Sequence, residues 1–229
     1  EMYEIYAQLR QEYPEIDQEY LDADMRLLTF GFGPPLNIFT VKEADLSAPE
    51  NLHGMQMLAT QTMLQELISA EGGAPVMAGP PDFYSYLERS VSDGIFIHWG
   101  MITNFALCEV VDQATIFGEA QDAGITQDMN VVVISEKVWQ ELPDDLKAVF
   151  EANVKTYWDA HKVTTEKLIT NGYDALDTEG AAVVHLTDDQ VKLWSDAFSP
   201  VRDATLTEVD ANGCNATEIY TRMLELAGK

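Results

Sequence analysis

Basic side chains are scarce in this chain: thirteen Lys and Arg stand against thirty-nine Asp and Glu, a net charge of −26. Such an imbalance repels nucleic-acid phosphates and anionic membrane surfaces, so neither nucleic acid nor direct membrane insertion is expected. The acids are scattered, Glu15, Asp17, Glu19, Asp22 and Asp24 early and Glu119, Asp122 and Asp128 later, which describes a solvated surface and not a metal cage. Cysteine is nearly absent. Cys108 and Cys214 lie far apart, and neither stands in a CxxC or Cys-His spacing, so zinc and thiol redox chemistry are set aside. They read as two small buried apolar side chains, or else as a long-range disulfide in an oxidising compartment. No apolar run approaches the length that crosses a bilayer. The opening Glu-Met-Tyr has neither the basic nor the apolar region of a signal peptide, so an exported chain is expected to have lost its signal already.

Catalytic signatures are missing as well. There is no G-x-S-x-G elbow, no H-E-x-x-H and no EF-hand spacing, and His53, His98, His161 and His185 form no i, i+4 pair. Gly31-Phe32-Gly33-Pro34-Pro35 lacks the full G-x-G-x-x-G and reads as a loop at a strand end, not a phosphate cradle. No cofactor is expected.

What is present is the vocabulary of an α/β protein. With 229 residues, 46% of them apolar, the chain can form one large domain or two lobes. Ser47 to Gly94 reads as a complete βαβαβ lobe. Ser47 and Glu50 have capping-box spacing around Pro49, and Gly54 closes the turn. Met55 to Ala59 is a strand, and Thr60-Gln61-Thr62 opens a helix striped by Met63, Leu64, Leu67 and Ile68 until Gly72-Gly73. Ala74 to Met77 is a second strand, Pro80-Pro81-Asp82 starts another helix with Phe83, Tyr84 and Leu87 inward, and Asp93-Gly94 turns into the strand Ile95-Phe96-Ile97. Parallel strands alternating with helices bind ligands at the carboxyl ends of the strands. That rule nominates Thr60 and Gln61, then Pro80 to Tyr84, then His98 and Trp99.

Around this lobe, Met2, Ile5, Tyr6 and Leu9 mark a helix ending near Pro14, and Met25 to Phe30 is a core strand with no earlier strand to pair with. An N-terminal piece is therefore expected to be missing. Leu36 to Val41 is a strand leading from one lobe to the next. Met101 to Cys108 is helical, Val110 to Phe117 a strand, Gln121 to Gln127 a loop, and Met129 to Ile134 a strand buried on both faces. Glu136 to Leu142 is a short helix, and Pro143 opens a long one expected to stop at Asn171-Gly172. Ala181 to Leu186 is a further strand, Thr187 and Gln190 cap the next helix, and Asn212-Gly213 precedes a last amphipathic helix.

Asp93 reads as a turn residue whose carboxylate bonds nearby backbone amides, with catalysis as the alternative. His98 stays open because it neighbours Trp99 at a strand end. Phe30, Phe32, Tyr84 and Trp99 suit the wall of a binding site, although core packing accounts equally well for Phe30.

In order along the chain, these motifs resemble the extracytoplasmic solute-binding proteins of tripartite ATP-independent periplasmic (TRAP) transporters, the DctP type. Asn51 to Leu58 (NLHGMQML) is similar to the family's DLKGLKIR, Gly73 to Val76 (GAPV) to GATPV, and Asp82-Phe83-Tyr84 with Leu87 and Val91 to Gly94 to EVYxAL…GVVDG. Glu109-Val110-Val111 is similar to EVVKY, and Val131 to Pro143 to VVMNKKVWDSLP. The resemblance runs from about Met25 to Leu226. It implies a two-lobed α/β fold of the type II periplasmic-binding-protein kind, with parallel and mixed sheets, hinge strands and a long lobe-spanning helix. Residues 1–40 would be the remainder of the N-terminal lobe, 41–118 the second lobe and 119–160 the return to the first with the start of the spanning helix. Residues 161–229 would finish that helix and add C-terminal helices packed on the second lobe.

The implied function is a periplasmic receptor that closes on a small organic acid and delivers it to the membrane subunits of a TRAP permease, with no chemistry of its own. The family's ligand-pairing arginine falls on Leu58 here, and its asparagine after VDG on Ile97. Arg26, Lys42 or Arg89 could supply the charge instead. Without a cation, desolvating a carboxylate costs several kcal/mol. An apolar-bodied or aromatic solute is therefore expected, held by Phe32, Tyr84 and Trp99 and oriented by Asn37, Thr60, Gln61 and His98. The alternatives are a ligand-sensing module and an enzyme using His98 or Asp93 in the same cleft.

Overall fold

The structure, a computed structural model, describes residues 2–228. The chain divides into two compact units: unit 1 holds residues 1–33, 129–164 and 206–229, and unit 2 holds 34–128 and 165–205. Strands β1 (Met25–Thr40) and β6 (Thr126–Ser135) and helices α7 (Asp144–Glu179) and α8 (Asp188–Ala211) each run from one unit into the other.

Unit 2 is built on a mixed sheet in the order β3-β2-β4-β1-β5-β7. Its remaining strands are β2 (Gln56–Leu58), β3 (Ala74–Val76), β4 (Gly94–His98), β5 (Gln113–Ile116) and β7 (Ala182–His185). β2 runs parallel to β3 and β4, β5 parallel to β7, and β1 antiparallel to β4 and β5. Side chains alternate across a strand, so consecutive residues fall into two separate cores. Phe39, Leu58, Ile95, Ile97 and Ile116 face one, closed by α4 (Phe83–Glu88), α5 (Trp99–Asn104) and the end of α7 through Phe83, Ile102 and Leu176. Leu36, Ile38, Met57 and Phe96 face the other, closed by α3 (Thr62–Ala70) and α8 through Leu64, Leu67 and Trp194. The Trp194 indole N–H, buried among them, donates to the Leu46 carbonyl at 3.1 Å.

Local signals hold in most of the lobe from Ser47 to Gly94. Gly54 and Gly72 adopt φ of +80° and +76°, as their turns require. The Ser47–Glu50 capping box does not form: residues Pro49–Leu52 make a single 3₁₀ turn, and the Ser47 amide is bound instead by the Asp45 carboxylate. The Thr187/Gln190 pair does form reciprocal capping bonds, at 2.9 and 3.4 Å.

Three expectations are corrected. The stretch Gly31 to Pro35 is not a loop but the middle of the sixteen-residue strand β1. Its ladder with β4 begins at Leu36 and that with β5 at Ile38, so Pro34 and Pro35 stand outside both and their missing N–H groups break neither. Helix α7 does not stop at Asn171-Gly172 but runs on to Glu179, where Gly180 at φ +78° ends it. Gly172 lies inside the helix, and the position has no room for a side chain, since a Cβ there would stand 2.5 Å from Trp99 Cε3. β6 is not buried on both faces. It pairs with β1 alone, and Met129, Val131 and Val133 are 37–38% exposed.

Unit 1 packs α1 (Met2–Glu12), α2 (Glu15–Asp22), α6 (Glu136–Glu141), α9 (Ala216–Leu226) and the start of α7 with the first part of β1 and most of β6. Its centre is aromatic: Tyr3, Tyr6, Phe30, Phe32 and Trp158 lie with ring centroids 4.5 to 6.3 Å apart. The Tyr3 hydroxyl is shared by His161 Nδ1 at 3.1 Å and the Phe32 amide at 3.2 Å, and the Trp158 indole N–H donates to Thr29 at 2.9 Å. Both cysteines are free thiols.

Candidate functional site

Because β2, β3 and β4 are parallel neighbours, their carboxyl ends open on one edge of the unit 2 sheet. Antiparallel β1 brings its entry to that same edge, with Leu36 opposite His98 and Asn37 opposite Ile97. Thr60 and Gln61 leave β2 there as an exposed and a half-buried residue, and the Gln65 side chain holds their turn by donating to the Ala59 carbonyl at 2.8 Å. The Gln61 amide donates a short hydrogen bond to Asp128. Asp128 in turn raises the basicity of His98, although burial outweighs it and leaves the His98 imidazole more acidic than usual. Gln61, His98 and Asp128 thus form a polar group at this edge with the imidazole kept neutral.

The other nominated residues divide. Trp99 is fully buried, edge-on to Phe39 at 5.2 Å and stacked on Tyr173 at 4.2 Å, so its ring belongs to the core. Tyr84 is half-buried, and its hydroxyl donates to Glu109 at 3.2 Å. Asn37 is fully buried and braces a loop: Nδ2 donates to the Ala123 carbonyl at 3.0 Å and Oδ1 accepts the Phe117 amide at 3.2 Å. Phe32 belongs to unit 1 and its aromatic cluster. Asp128 is the residue that sequence reasoning passed over. Sixty-seven positions from Gln61, it looked like one more solvated acid, and no spacing could have singled it out.

Leu58 and Ile97, the positions expected from the resemblance to carry polar anchors, present no polar side chain to a ligand charge. Leu58 is 1% and Ile97 5% exposed, and both lie in the core that holds Trp99. Arg26 is committed elsewhere, in a bidentate pair with Glu136 at 2.7 and 2.8 Å that depresses the Glu136 pKa. Buried polar atoms without a protein partner do occur in this unit: His98 Nδ1, Trp99 Nε1 and the Tyr173 hydroxyl. The carboxylate of Asp93 accepts the Gln56 amide at 2.8 Å, a bond that joins the turn before β4 to β2. Among the described residues no group of His, Cys, Asp and Glu is placed to hold a metal ion, and no helix is long and apolar enough to cross a membrane.

The family model for DctP, bacterial extracellular solute-binding protein, family 7, matches residues 2–208. The chain belongs to this family. Its members are binding receptors, not enzymes, and the fold agrees with that of solved TRAP periplasmic solute-binding proteins. One from Rhodoferax ferrireducens with bound malonate superposes at a TM-score of 0.81 with 15% identity, over 99% of this chain and 70% of that one. One from Desulfovibrio salexigens with bound orotic acid gives 0.80 and 15%, over 96% and 69%. A second Rhodoferax ferrireducens protein, in complex with copurified benzoate, gives 0.77 and 17%, over 91% and 66%. The chain spans about two thirds of the length of such structures, from 65% to 71%. No curated protein matches it.

Proposed function

We propose that this DctP-family chain is the solute receptor of a TRAP-type transporter, capturing a small apolar-bodied or aromatic solute outside the cytoplasm and handing it to a membrane permease. Thr60, Gln61, Tyr84 and His98 of unit 2 are the contacts assigned to the solute. The observation that supports the reading is that Leu58 and Ile97, where the resemblance would place the family's arginine and asparagine, are buried core aliphatics. A carboxylate entering this edge would meet Asp128 and a neutral imidazole instead of a guanidinium, and desolvation would cost it several kcal/mol. An aromatic or neutral solute escapes that cost. Malonate, orotate and benzoate in the solved relatives mark how wide a range of small acids this fold accepts.

Mass spectrometry of the native protein, followed by denaturation, tests the reading. A bound solute of one ring or an alkyl body with at most one carboxylate is expected, released unchanged. A released dicarboxylate, or conversion of the solute by the protein, would contradict it.

A further inference from the structure

Unit 1 carries a cavity of about 350 Å³ whose walls are made by α2, the neighbouring end of α8 and the start of α9. It is separate from the strand edge just described, since every residue lining it belongs to unit 1. Ile16, Val209 and Ile219 give it an apolar wall, and the rings of Tyr6 and Tyr20 complete it. Burial raises the pKa of both tyrosine hydroxyls, that of Tyr6 up to about 12, so the rings stay neutral. Two carboxylates line the same space. Glu15 accepts from the Asn215 amide at 2.9 Å, and Glu19 from the Cys214 thiol at 2.7 Å.

The charge of this cavity is unbalanced. Among the described residues no Lys or Arg lines it, and neither Glu15 nor Glu19 forms an ion pair. Arg10, whose charge acts on the Tyr6 and Tyr20 hydroxyls, does not line the cavity and is held by Asp17 in a bidentate pair at 2.7 and 2.9 Å. The Glu19 carboxylate also pushes the Cys214 thiol upward, which keeps it protonated and removes it as a nucleophile. What remains is a hollow with apolar walls, two aromatic rings and two anions whose partners among the described residues are neutral.

We infer that this cavity binds a small organic cation with an apolar body, an alkyl- or arylammonium, seated against Tyr6 and Tyr20 and neutralised by Glu15 and Glu19. The aromatic quadrupole attracts a cation whose hydration is weak, and the carboxylates supply the opposite charge without requiring a hydrogen-bond donor. An organic anion would face like charge, and an inorganic cation would gain nothing from the apolar wall.

Calorimetric titration of the full chain with choline tests this, beside its neutral isostere in which a tert-butyl group replaces the trimethylammonium, both at one ionic strength. Choline is expected to bind saturably, and the isostere about tenfold more weakly or worse. The double variant Glu15→Gln/Glu19→Gln is expected to lose that preference. Tyr20→Leu, which keeps the apolar volume, is expected to weaken choline more than the isostere. Circular dichroism of each variant establishes that it is folded. Equal binding of choline and its isostere, unsaturable choline binding, or choline binding unchanged in both variants would overturn the assignment.

Discussion

Leu58 and Ile97 belong to the core of unit 2 at the scale of single residues. Each sits in a tightly packed core beside Trp99, where a shortened side chain leaves a void that neighbours cannot fill. Leu58→Ala is expected to cost about 2–5 kcal/mol, read from urea unfolding. A loss below ~1 kcal/mol would mean that the side chain lies in a loose, solvent-reachable place. Ser92 acts beside it by a different force. Its buried hydroxyl accepts the Leu58 amide at 3.1 Å and directs its own proton to the Gln56 and Gly94 carbonyls at 2.8 and 2.7 Å. Ser92→Ala strands these groups and is expected to cost about 1–3 kcal/mol. Thr60, Gln61 and His98 were legible in the sequence, because strand-end position follows from the order of elements. Asp128 was not, since the bond to Gln61 closes across sixty-seven residues. Asn37 and Trp99 show the same limit from the other side: their types suit a ligand, but only packing reveals that Asn37 braces a loop and Trp99 fills the core.

Elements obey local rules until a neighbour imposes a stronger one. Helix α7, thirty-six residues and about 54 Å long at 1.5 Å per residue, contains one glycine and ends at another. Asn171-Gly172 has the form of a stop signal, yet the helix runs through it, and the glycine there leaves its space to the Trp99 ring. Gly180, by contrast, has nothing near the position of a Cβ and is glycine for its φ of +78° alone. The two predict different costs. Gly180→Ala is expected to lose about 1 kcal/mol, from backbone strain only. Gly172→Ala gains helix propensity but forces Trp99 from its place, and is expected to lose more and to change the Trp99 fluorescence. Equal losses with unchanged fluorescence would show that the clash relaxes freely. Strand β1 teaches the same lesson, since Gly and Pro between 31 and 35 mark a loop by type but are tolerated where the β4 and β5 ladders have not begun. The exposure of β6 could not be read from its apolar run, because periodicity does not reveal how many neighbours a strand will find.

At the scale of the molecule, the excess of acid governs behaviour in solution and the buried tyrosines govern alkaline stability. Tyr6 in unit 1 and Tyr173 in unit 2 are both held up to about 12 by burial, against about 10 when unfolded. A raised pKa means that their contribution is complete below pH ~10 and is lost as pH rises from there through about 12. The urea midpoint is therefore expected to fall across that window, and to fall less steeply in Tyr6→Phe/Tyr173→Phe. A midpoint flat up to pH ~12, or a decline identical in the double variant, would contradict this.

The central claim, that a DctP-family scaffold here recognises its solute without a cationic clamp, meets its most direct test in a thermal-shift series on the native protein. A ligand that binds the folded state raises the melting temperature by mass action. Benzoate and neutral aromatic amides are expected to raise it more than malonate or succinate at equal concentration and ionic strength. Stronger stabilisation by the dicarboxylates would contradict the claim.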